Sequence, residues 1–457
     1  MRIIGTCWLG RITGGLALIA ITLSLSSCAL LRSQPKHRFV VISVNGMLPD
    51  FYLDPAYRAA TLQRLRTAGA FATGTLPVYP ATSLPNHATM VTGVLPAQHG
   101  VLADMIFDRT AGTSRVPYEA KSLKTPALWD LASQNGMDVA LVGWPVSEGA
   151  EAEWLVPGTL PLDGTSIESG WARSLEQMDR GLKKQLLAIQ PDRKVTNTIQ
   201  YDQWIADATS YLITEEQPEL LFAHFRNIGE VQRLHGPHSK EAFLALRQLD
   251  AHFAKLLTLI NLENTTLVIA GDHAFEVAEK EFHVNSFLRE IGGFRVSGGR
   301  LLEWKTIAQV NGSQAAIYTS DPSLEGKLVQ ALRRRNESGG QPRLRIYDRT
   351  ALKKMGAFPD AACAIDAPQG VTLGTRFSGS DVPEKIKIRG SSGAQAVRKS
   401  MLTGFLMVGP GIPAGLNLGT TRVLDIAPTL AAQMHLQLKA QGKAIDLRKK
   451  TPAIPAR

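Results

Sequence analysis

The run Arg38 to Val44 (RFVVISV) restricts the fold more than any other segment, because its apolar residues leave neither face polar. Such a strand is typical of a parallel sheet that helices cover on both sides. Similar runs predict the further strands Asp138 to Gly143, Glu219 to Phe225, Thr265 to Ala270 and Gly404 to Val408. Amphipathic stretches between them predict the helices Ala60 to Thr67, Pro126 to Gln134, Tyr201 to Thr214 and Ser239 to Ile260. The alternation predicts an α/β fold with a doubly wound, mostly parallel sheet flanked by helices.

Polar residues follow two of these strands directly. Asn45 comes after the first strand, and Asp272-His273 follows Thr265 to Ala270. Ligands of such sheets bind beyond the carboxyl ends of the strands, so we expect the functional site at this edge.

Two stretches fit the alternation poorly, Glu148 to Lys194 and Gly293 to Val382. We interpret both as inserted cap segments that cover the edge of the site. They would belong to one domain spanning residues 38–457, a length that permits a large core.

The N-terminus predicts export. Arg2 and Arg11 precede an apolar run, Leu16 to Leu25, that is too short to span a bilayer as a mature helix. The run ends in Leu25-Ser26-Ser27-Cys28, which resembles a bacterial lipoprotein cleavage box. The resemblance implies a signal peptide over 1–27, lipidated Cys28 as membrane anchor, and a tether over 28–37. Ala29 is compatible with the outer membrane, so we expect a periplasm-facing protein of the bacterial cell envelope. The alternative is an ordinary signal peptide with an incidental cysteine.

Cysteine usage and charge narrow the function classes. Of the three cysteines, Cys7 leaves with the signal peptide and Cys28 is acylated, so Cys363 has no partner for an intrachain disulfide. The formal net charge is +10, but basic residues cluster only at Arg333 to Arg335 and Arg448 to Lys450. A solvated basic face is the better interpretation, and no nucleic-acid partner is expected.

The segment Pro80 to His87 (PATSLPNH) carries a candidate nucleophile. Ser83 falls where a helix-like run begins, and a helix N-terminus favours an anion such as a phosphate group. The alternative is a purely structural serine at a capped helix start. Asp272 and His273 at a strand end would form half of a zinc site.

Together these segments resemble the type I phosphodiesterase/nucleotide pyrophosphatase family of the alkaline phosphatase superfamily. Further matching motifs are His99-Gly100, Gly143-Trp144-Pro145, Gly236-Pro237, Val408-Gly409-Pro410 and Asp425-Ile426-Ala427-Pro428. The likeness covers about residues 38 to 435 and implies an alkaline-phosphatase-like fold.

The resemblance also implies a site with two zinc ions that clamp a phosphoryl group. Ser83 would be the nucleophile, where the family usually has threonine. Asp272 and His273 match ligands of one zinc ion, while Asn45 stands where the family has a third ligand, an aspartate. Zinc is therefore possible at this one site.

The other metal site is degenerate at each position that the resemblance assigns. Gly229 replaces an aspartate, Arg233 a histidine, and Ser392 a second histidine. Asp104 stands where the family has an asparagine that contacts phosphate, and its charge would oppose an anion. We therefore do not expect the full two-zinc site.

Three hypotheses follow. The first is a pseudoenzyme that binds an anionic ligand or an envelope partner. The second is a residual one-metal hydrolase of phosphodiesters or phosphomonoesters that uses Ser83, with Arg233 and Asp104 in contact with substrate. The third, which overlaps the first, is an envelope scaffold module.

Overall fold

The computed structural model describes residues 36–158, 166–189, 191, 193–297, 300–379, 382–395 and 399–448. The predicted signal peptide and Cys28 lie outside the described residues. From Arg38 onward the chain clusters into one compact unit. Within the described ranges, no helix has the length and apolar character needed to cross a membrane.

The strands are β1 Arg38–Val44, β2 Ala70–Phe71, β3 Gly74–Leu76, β4 Ile106–Asp108, β5 Thr113–Arg115, β6 Val139–Val142, β7 Trp154–Val156, β8 Leu220–Phe225, β9 Thr265–Gly271, β10 Glu276–Phe282, β11 Phe294–Ser297, β12 Arg300–Trp304, β13 Thr306–Asn311, β14 Gln314–Thr319, β15 Arg345–Asp348, β16 Cys363–Asp366, β17 Gly370–Leu373, β18 Glu384–Ser391, β19 Phe405–Val408, β20 Leu416–Asn417 and β21 Thr420–Arg422.

The α-helices are α1 Asp50–Leu53, α2 Ala60–Ala68, α3 Ser83–Thr92, α4 Pro96–His99, α5 Leu128–Gln134, α6 Ile167–Gln177, α7 Arg180–Ile189, α8 Thr198–Tyr211, α9 Asn227–His235, α10 Lys240–Leu257, α11 Val284–Glu290, α12 Glu325–Glu337, α13 Arg349–Met355 and α14 Ile426–Gln433. Short 3₁₀ and π turns connect several of these elements.

An eight-stranded sheet forms the centre, in the order β20-β2-β19-β9-β1-β8-β6-β7. The strands from β9 to β7 pair in parallel, while β19 runs antiparallel to β9 and β2. The predicted α/β class and mostly parallel sheet are confirmed. The five predicted strands and four predicted helices are all present; β1 has the predicted ends, and the ends of the others differ by at most three residues.

Successive residues of β1 pack into two different apolar clusters, one on each face of the central sheet. Val40 and Ile42 pack into an apolar cluster with residues of α2, α8 and α10. Phe39 and Val41 point the other way, into a cluster with residues of α3, α5 and α14. Because both faces of the strand are buried, the run needs no polar side, which is why it reads as continuously apolar.

The segment predicted as the second insertion builds a sheet of its own, with antiparallel order β13-β14-β16-β15. A separate three-stranded sheet, β17-β10-β18, takes one strand from before this segment, one from within it and one from after it, and was not predicted. The buried Asp366 carboxylate at the end of β16 accepts hydrogen bonds from Tyr79 Oη, Tyr347 Oη and the Gln395 backbone N–H, each at 2.9 Å. This carboxylate therefore joins the cap to the segment that precedes Ser83.

A second buried carboxylate fixes the start of α9. Asp202 accepts hydrogen bonds from the backbone N–H groups of Arg226 (2.8 Å) and Asn227 (3.0 Å). Burial raises the pKa of Asp202 from its ordinary value to about 7, although both backbone hydrogen bonds act in the opposite direction.

The pKa of Asp202 predicts a pH-dependent stability. Its folded-state pKa lies above the unfolded value near 4, so between about pH 4 and pH 7 the folded state binds more protons. The contribution of Asp202 to the free energy of unfolding therefore falls as pH rises through this window, by about 4 kcal/mol. We expect Asp202→Asn to remove this slope in denaturant unfolding measured across the window. Identical slopes in the two proteins would contradict the prediction.

Candidate functional site

The carboxyl ends of β1, β8 and β9 bring the predicted site residues together. Asn45 directly follows β1, and its backbone N–H donates to Phe225 O at the end of β8 (2.9 Å). The Asp272 N–H faces Val44 O of β1 at 3.4 Å. The parallel register thus places Asn45 and Asp272 side by side at the expected edge.

Ser83 is the first residue of α3, after Thr82 in extended conformation. Its hydroxyl donates to Asp272 Oδ2 (2.7 Å) and does not cap the helix. The other carboxylate oxygen, Asp272 Oδ1, accepts the N–H groups of Gly46 (3.0 Å) and His273 (2.7 Å). The fully buried Asp272 therefore holds the candidate nucleophile to the ends of two strands.

His273 offers one further donor for a metal. Its Nδ1 lies 3.0 Å from Ala274 O, an acceptor, so Nδ1 carries the hydrogen and Nε2 carries the lone pair. His273 Nε2 is 3.7 Å from Asp272 Oδ2. Within the described residues, no group of three or more His, Cys, Asp or Glu side chains comes together in a way that could hold a metal ion. A specific zinc site is therefore not confirmed.

The Asn45 side chain lies against Gly229 of α9. A Cβ atom built on Gly229 would be 1.8 Å from Asn45 Oδ1 and 2.7 Å from Asn45 Cβ. Next to them, Gln232 Nε2 donates to Gly46 O (2.8 Å). The space between the end of β1 and α9 is therefore filled by the protein's own atoms.

Arg233 is engaged within its own helix. Its Nε donates to Glu230 Oε2 (2.9 Å) and its Nη2 to Glu230 Oε1 (2.6 Å), while about half of the side chain remains exposed. Glu230 thereby neutralises the cation that the sequence offered for an anionic ligand.

Ser392 follows β18 and sits between two close contacts. A Cβ on Gly390 would lie 2.4 Å from Gln232 O of α9. On the other side, Gly393 exchanges two backbone hydrogen bonds with Ala81, two residues before Ser83. The segment with Ser392 therefore bridges α9 and the segment that precedes Ser83.

The side chain of Asp104 lies against the first turn of α3. One of its carboxylate oxygens accepts the Leu84 N–H at 2.7 Å. Burial raises the pKa of Asp104, although this hydrogen bond lowers it. An internal carboxylate thus holds an N–H group that would otherwise be open to an anion.

Two site residues were not predicted, Ser43 in β1 and His224 in β8. They are partners in the parallel register, and both contact His87, one turn along α3 from Ser83. Burial lowers the pKa of His87, and it lowers that of His224 well below the ordinary value. The available signal was a polar residue inside each apolar strand, since a buried polar side chain needs a partner.

Comparisons with known proteins identify chains that are similar in sequence and in fold. The family model described as type I phosphodiesterase / nucleotide pyrophosphatase matches residues 39–363. Human ectonucleotide pyrophosphatase/phosphodiesterase family member 1 is 22% identical over 271 residues, which cover 57% of this chain and 26% of the human protein. Rat family member 7 is 23% identical over 397 residues, covering 84% of this chain and 80% of the rat protein.

Solved structures show the same fold. Murine ectonucleotide pyrophosphatase/phosphodiesterase 5 superposes with a TM-score of 0.65 and 15% identity, covering 89% of this chain and 97% of the mouse chain. The human protein of the same name gives a TM-score of 0.64 with the same coverage. The chain spans about a quarter of the length of the human family member 1.

The contact between Asn45 and Gly229 predicts a steric penalty at position 229. We expect Gly229→Ala to lower the free energy of unfolding by about 1–3 kcal/mol, as overpacking does, because Asn45 must move. In an Asn45→Ala background the loss is expected to shrink but not vanish, since the Cβ of residue 45 stays within reach. A double-mutant cycle by denaturant unfolding measures this coupling. Additive losses would show that the two side chains are not in contact.

Proposed function

Since the chain belongs to the type I phosphodiesterase/nucleotide pyrophosphatase family, we propose that it is an exported lipoprotein whose site no longer carries out two-metal phosphodiester hydrolysis. The packing of Asn45 on Gly229 carries this proposal. At two positions where the family has carboxylate ligands, this chain has the Asn45 amide and Gly229, which carries no side chain. The Asn45 side chain already fills the space beside Gly229.

The chemistry of the remaining donors supports the same conclusion. Two-metal sites stabilise the attacking and leaving oxygens together, and one such electrostatic contribution is typically worth about 10²–10³ in rate. Asp272 and His273 supply two strong donors, whereas Gly229, Arg233 and Ser392 supply no acidic or imidazole ligand. The donor set does not fit two zinc ions.

The location rests on the leader sequence. The apolar run and the Leu25-Ser26-Ser27-Cys28 box support lipidation at Cys28 and a periplasm-facing position in a bacterial envelope, at the outer membrane. A chain that keeps the fold but does not turn over substrate can still bind another protein, so we propose a protein partner in the envelope.

A phosphate ester is the ligand class to test first. Ser83 is the first residue of α3, and helix N-termini favour anions. An inactive variant of the mouse relative is described in complex with AMP. In this chain such a ligand would compete with Asp104 for the Leu84 N–H.

Residual one-metal hydrolysis is the second candidate. The observation that favours it is the convergence of Ser83 Oγ, Asp272 Oδ2 and His273 Nε2, with separations of 2.7 and 3.7 Å from the carboxylate oxygen. These three atoms, with the Asn45 amide, are the group that would hold a single ion.

Metal content and turnover separate the two candidates. We expect the purified full-length chain to bind well under one zinc per molecule by elemental analysis. We also expect no zinc-dependent hydrolysis of bis(p-nitrophenyl) phosphate beyond that of Ser83→Ala, because the second metal site lacks its ligands. One bound zinc with hydrolysis that Ser83→Ala abolishes would establish residual catalysis and overturn the main proposal.

The position of Asp104 predicts a gain in anion binding. Asp104→Asn removes a negative charge beside the Leu84 N–H, so we expect inorganic phosphate to bind about tenfold more tightly, a gain of about 1.4 kcal/mol. Isothermal titration of phosphate into both proteins measures the change. Asp108→Asn, at a partly exposed aspartate at the end of β4, is the matched control and should leave the affinity as it is. Unchanged affinity in Asp104→Asn would show that phosphate does not use this helix start.

A further inference from the structure

A cavity of about 330 Å³ lies at the amino ends of β1, β8 and β9, at the opposite edge of the central sheet from Ser83. The segments that follow α8 and α10 and lead into β8 and β9 border it. Its described lining includes none of the residues of the candidate functional site. Ligand pockets typically measure about 300–1,000 Å³, so this cavity is large enough for a small molecule.

Arg38, the first residue of β1, lines this cavity, and its hydrogen bond does not neutralise its charge. Its Nη2 donates to Oε1 of Gln217, a neutral amide, at 2.6 Å. Its Nε is buried and, within the part of the chain that the structure describes, has no hydrogen-bond partner. A buried donor that stays unpaired is costly, above all on a charged group. A bound acceptor in the cavity would satisfy this donor.

Two asparagines in the lining also offer donors rather than acceptors. Asn261 Oδ1 accepts the Glu263 N–H at 3.0 Å. Asn264 Oδ1 accepts the Thr265 hydroxyl at 3.3 Å. Because both amide oxygens are engaged, the groups that these side chains offer to a ligand are their NH₂ groups. The polar part of the lining therefore suits a ligand rich in acceptors.

A π turn forms the wall from which Gln217 reaches Arg38. The turn covers Leu212–Glu216 at the end of α8, and Gln217 closes it in the left-handed conformation with φ of 55°. A positive φ is uncommon for a residue other than glycine, and π turns are rare and frequently lie at functional sites. Ile213 of the same turn also lines the cavity. The turn thus supplies one polar and one apolar group to it.

The rest of the lining limits the size and charge of the ligand. Aliphatic side chains form its apolar part, contributed by Val40, Ile213, Leu221, Leu259 and Ile260. They favour a short hydrocarbon group over further polar atoms. One guanidinium balances one negative charge. The carboxyl ends of α8 and α10 border the cavity, and their partial negative charge opposes a dianion more than a monoanion.

We propose that this cavity binds an organic monocarboxylate with a short hydrocarbon body. The carboxylate accepts the Arg38 Nε–H, and the hydrocarbon lies on Ile213 and Leu259. The structural alternative is that Arg38 only balances the carbonyl groups at the two helix ends. The inference is independent of the proposed function, because the cavity and Ser83 lie at opposite edges of the sheet.

Three ligands with the same hydrocarbon test the ligand class by isothermal titration calorimetry on the purified full-length chain. We expect one hexanoate per chain. Hexanamide should bind at least about tenfold more weakly, a difference of about 1.4 kcal/mol, because it brings no charge to Arg38. Hexyl phosphate, a dianion at about pH 8, should also bind more weakly than hexanoate, because its second charge has no cation to balance it. Equal or tighter binding of either comparison ligand would overturn the assignment to a monocarboxylate.

Two variants and a control locate the binding in this cavity. Arg38→Gln should weaken hexanoate binding about tenfold and leave hexanamide binding unchanged, because only the charge contact is lost. Ile213→Trp should weaken the binding of both ligands about tenfold, because the indole ring fills space that the hydrocarbon occupies. Arg64→Gln, at an exposed arginine of α2, is the matched control and should bind all three ligands like the native chain.

A native chain that does not bind hexanoate would leave Arg38 with the structural role alone and overturn the inference. Equal hexanoate affinity in the native chain, Arg38→Gln and Ile213→Trp would do the same, since the ligand would then bind elsewhere. If Arg38→Gln does not fold, as judged by circular dichroism, Ile213→Trp and the native preference for hexanoate over hexanamide still decide. Zinc-dependent hydrolysis would refute the proposed function without changing these affinities.

Discussion

The Asp272 carboxylate is the group on which the site depends. It is fully buried and accepts three hydrogen bonds, from the N–H groups of Gly46 and His273 and from Ser83 Oγ. These donors come from the turn after β1, the end of β9 and the start of α3. A buried carboxylate without such donors would be strongly destabilising, so its presence fixes the geometry of all three elements. The same hydrogen bonds that shape the pocket also orient the serine.

The opposite side of the pocket is closed by packing. Asn45 lies against Gly229, and Gln232 with Phe275 packs over Gly46. These contacts leave no room for a side chain at position 229 unless Asn45 moves. Restoring a single aspartate at position 229 would place its Cβ inside the Asn45 side chain. An aspartate at position 229 is thus sterically incompatible with the present conformation of Asn45.

The sequence predicted most of the fold, because buried parallel strands need long apolar runs that local inspection detects. It also predicted the edge of the sheet where Asn45 and Asp272 meet. The contact between Asn45 and Gly229 could not be predicted, since it depends on a side-chain rotamer and on how closely α9 approaches β1. The Arg233–Glu230 pair was within reach of the sequence, because residues three apart face the same side of a helix. The Ser43–His224 pair required the strand register, which the polar residues within the apolar runs indicate only in part.

The charges around Ser83 are more negative than those that the family resemblance implies. The family resemblance places cations around a phosphoryl group, whereas here Asp104 and Asp272 flank Ser83 and Glu230 neutralises Arg233. An entering anion would have to displace the Asp104 carboxylate from the Leu84 N–H and would approach the charge of Asp272 without a compensating metal. An uncharged group meets neither obstacle, because it brings no charge that must be stabilised. A phosphate ester that binds at Ser83 therefore has to overcome both carboxylates, and the N-terminus of α3 is the group that favours it.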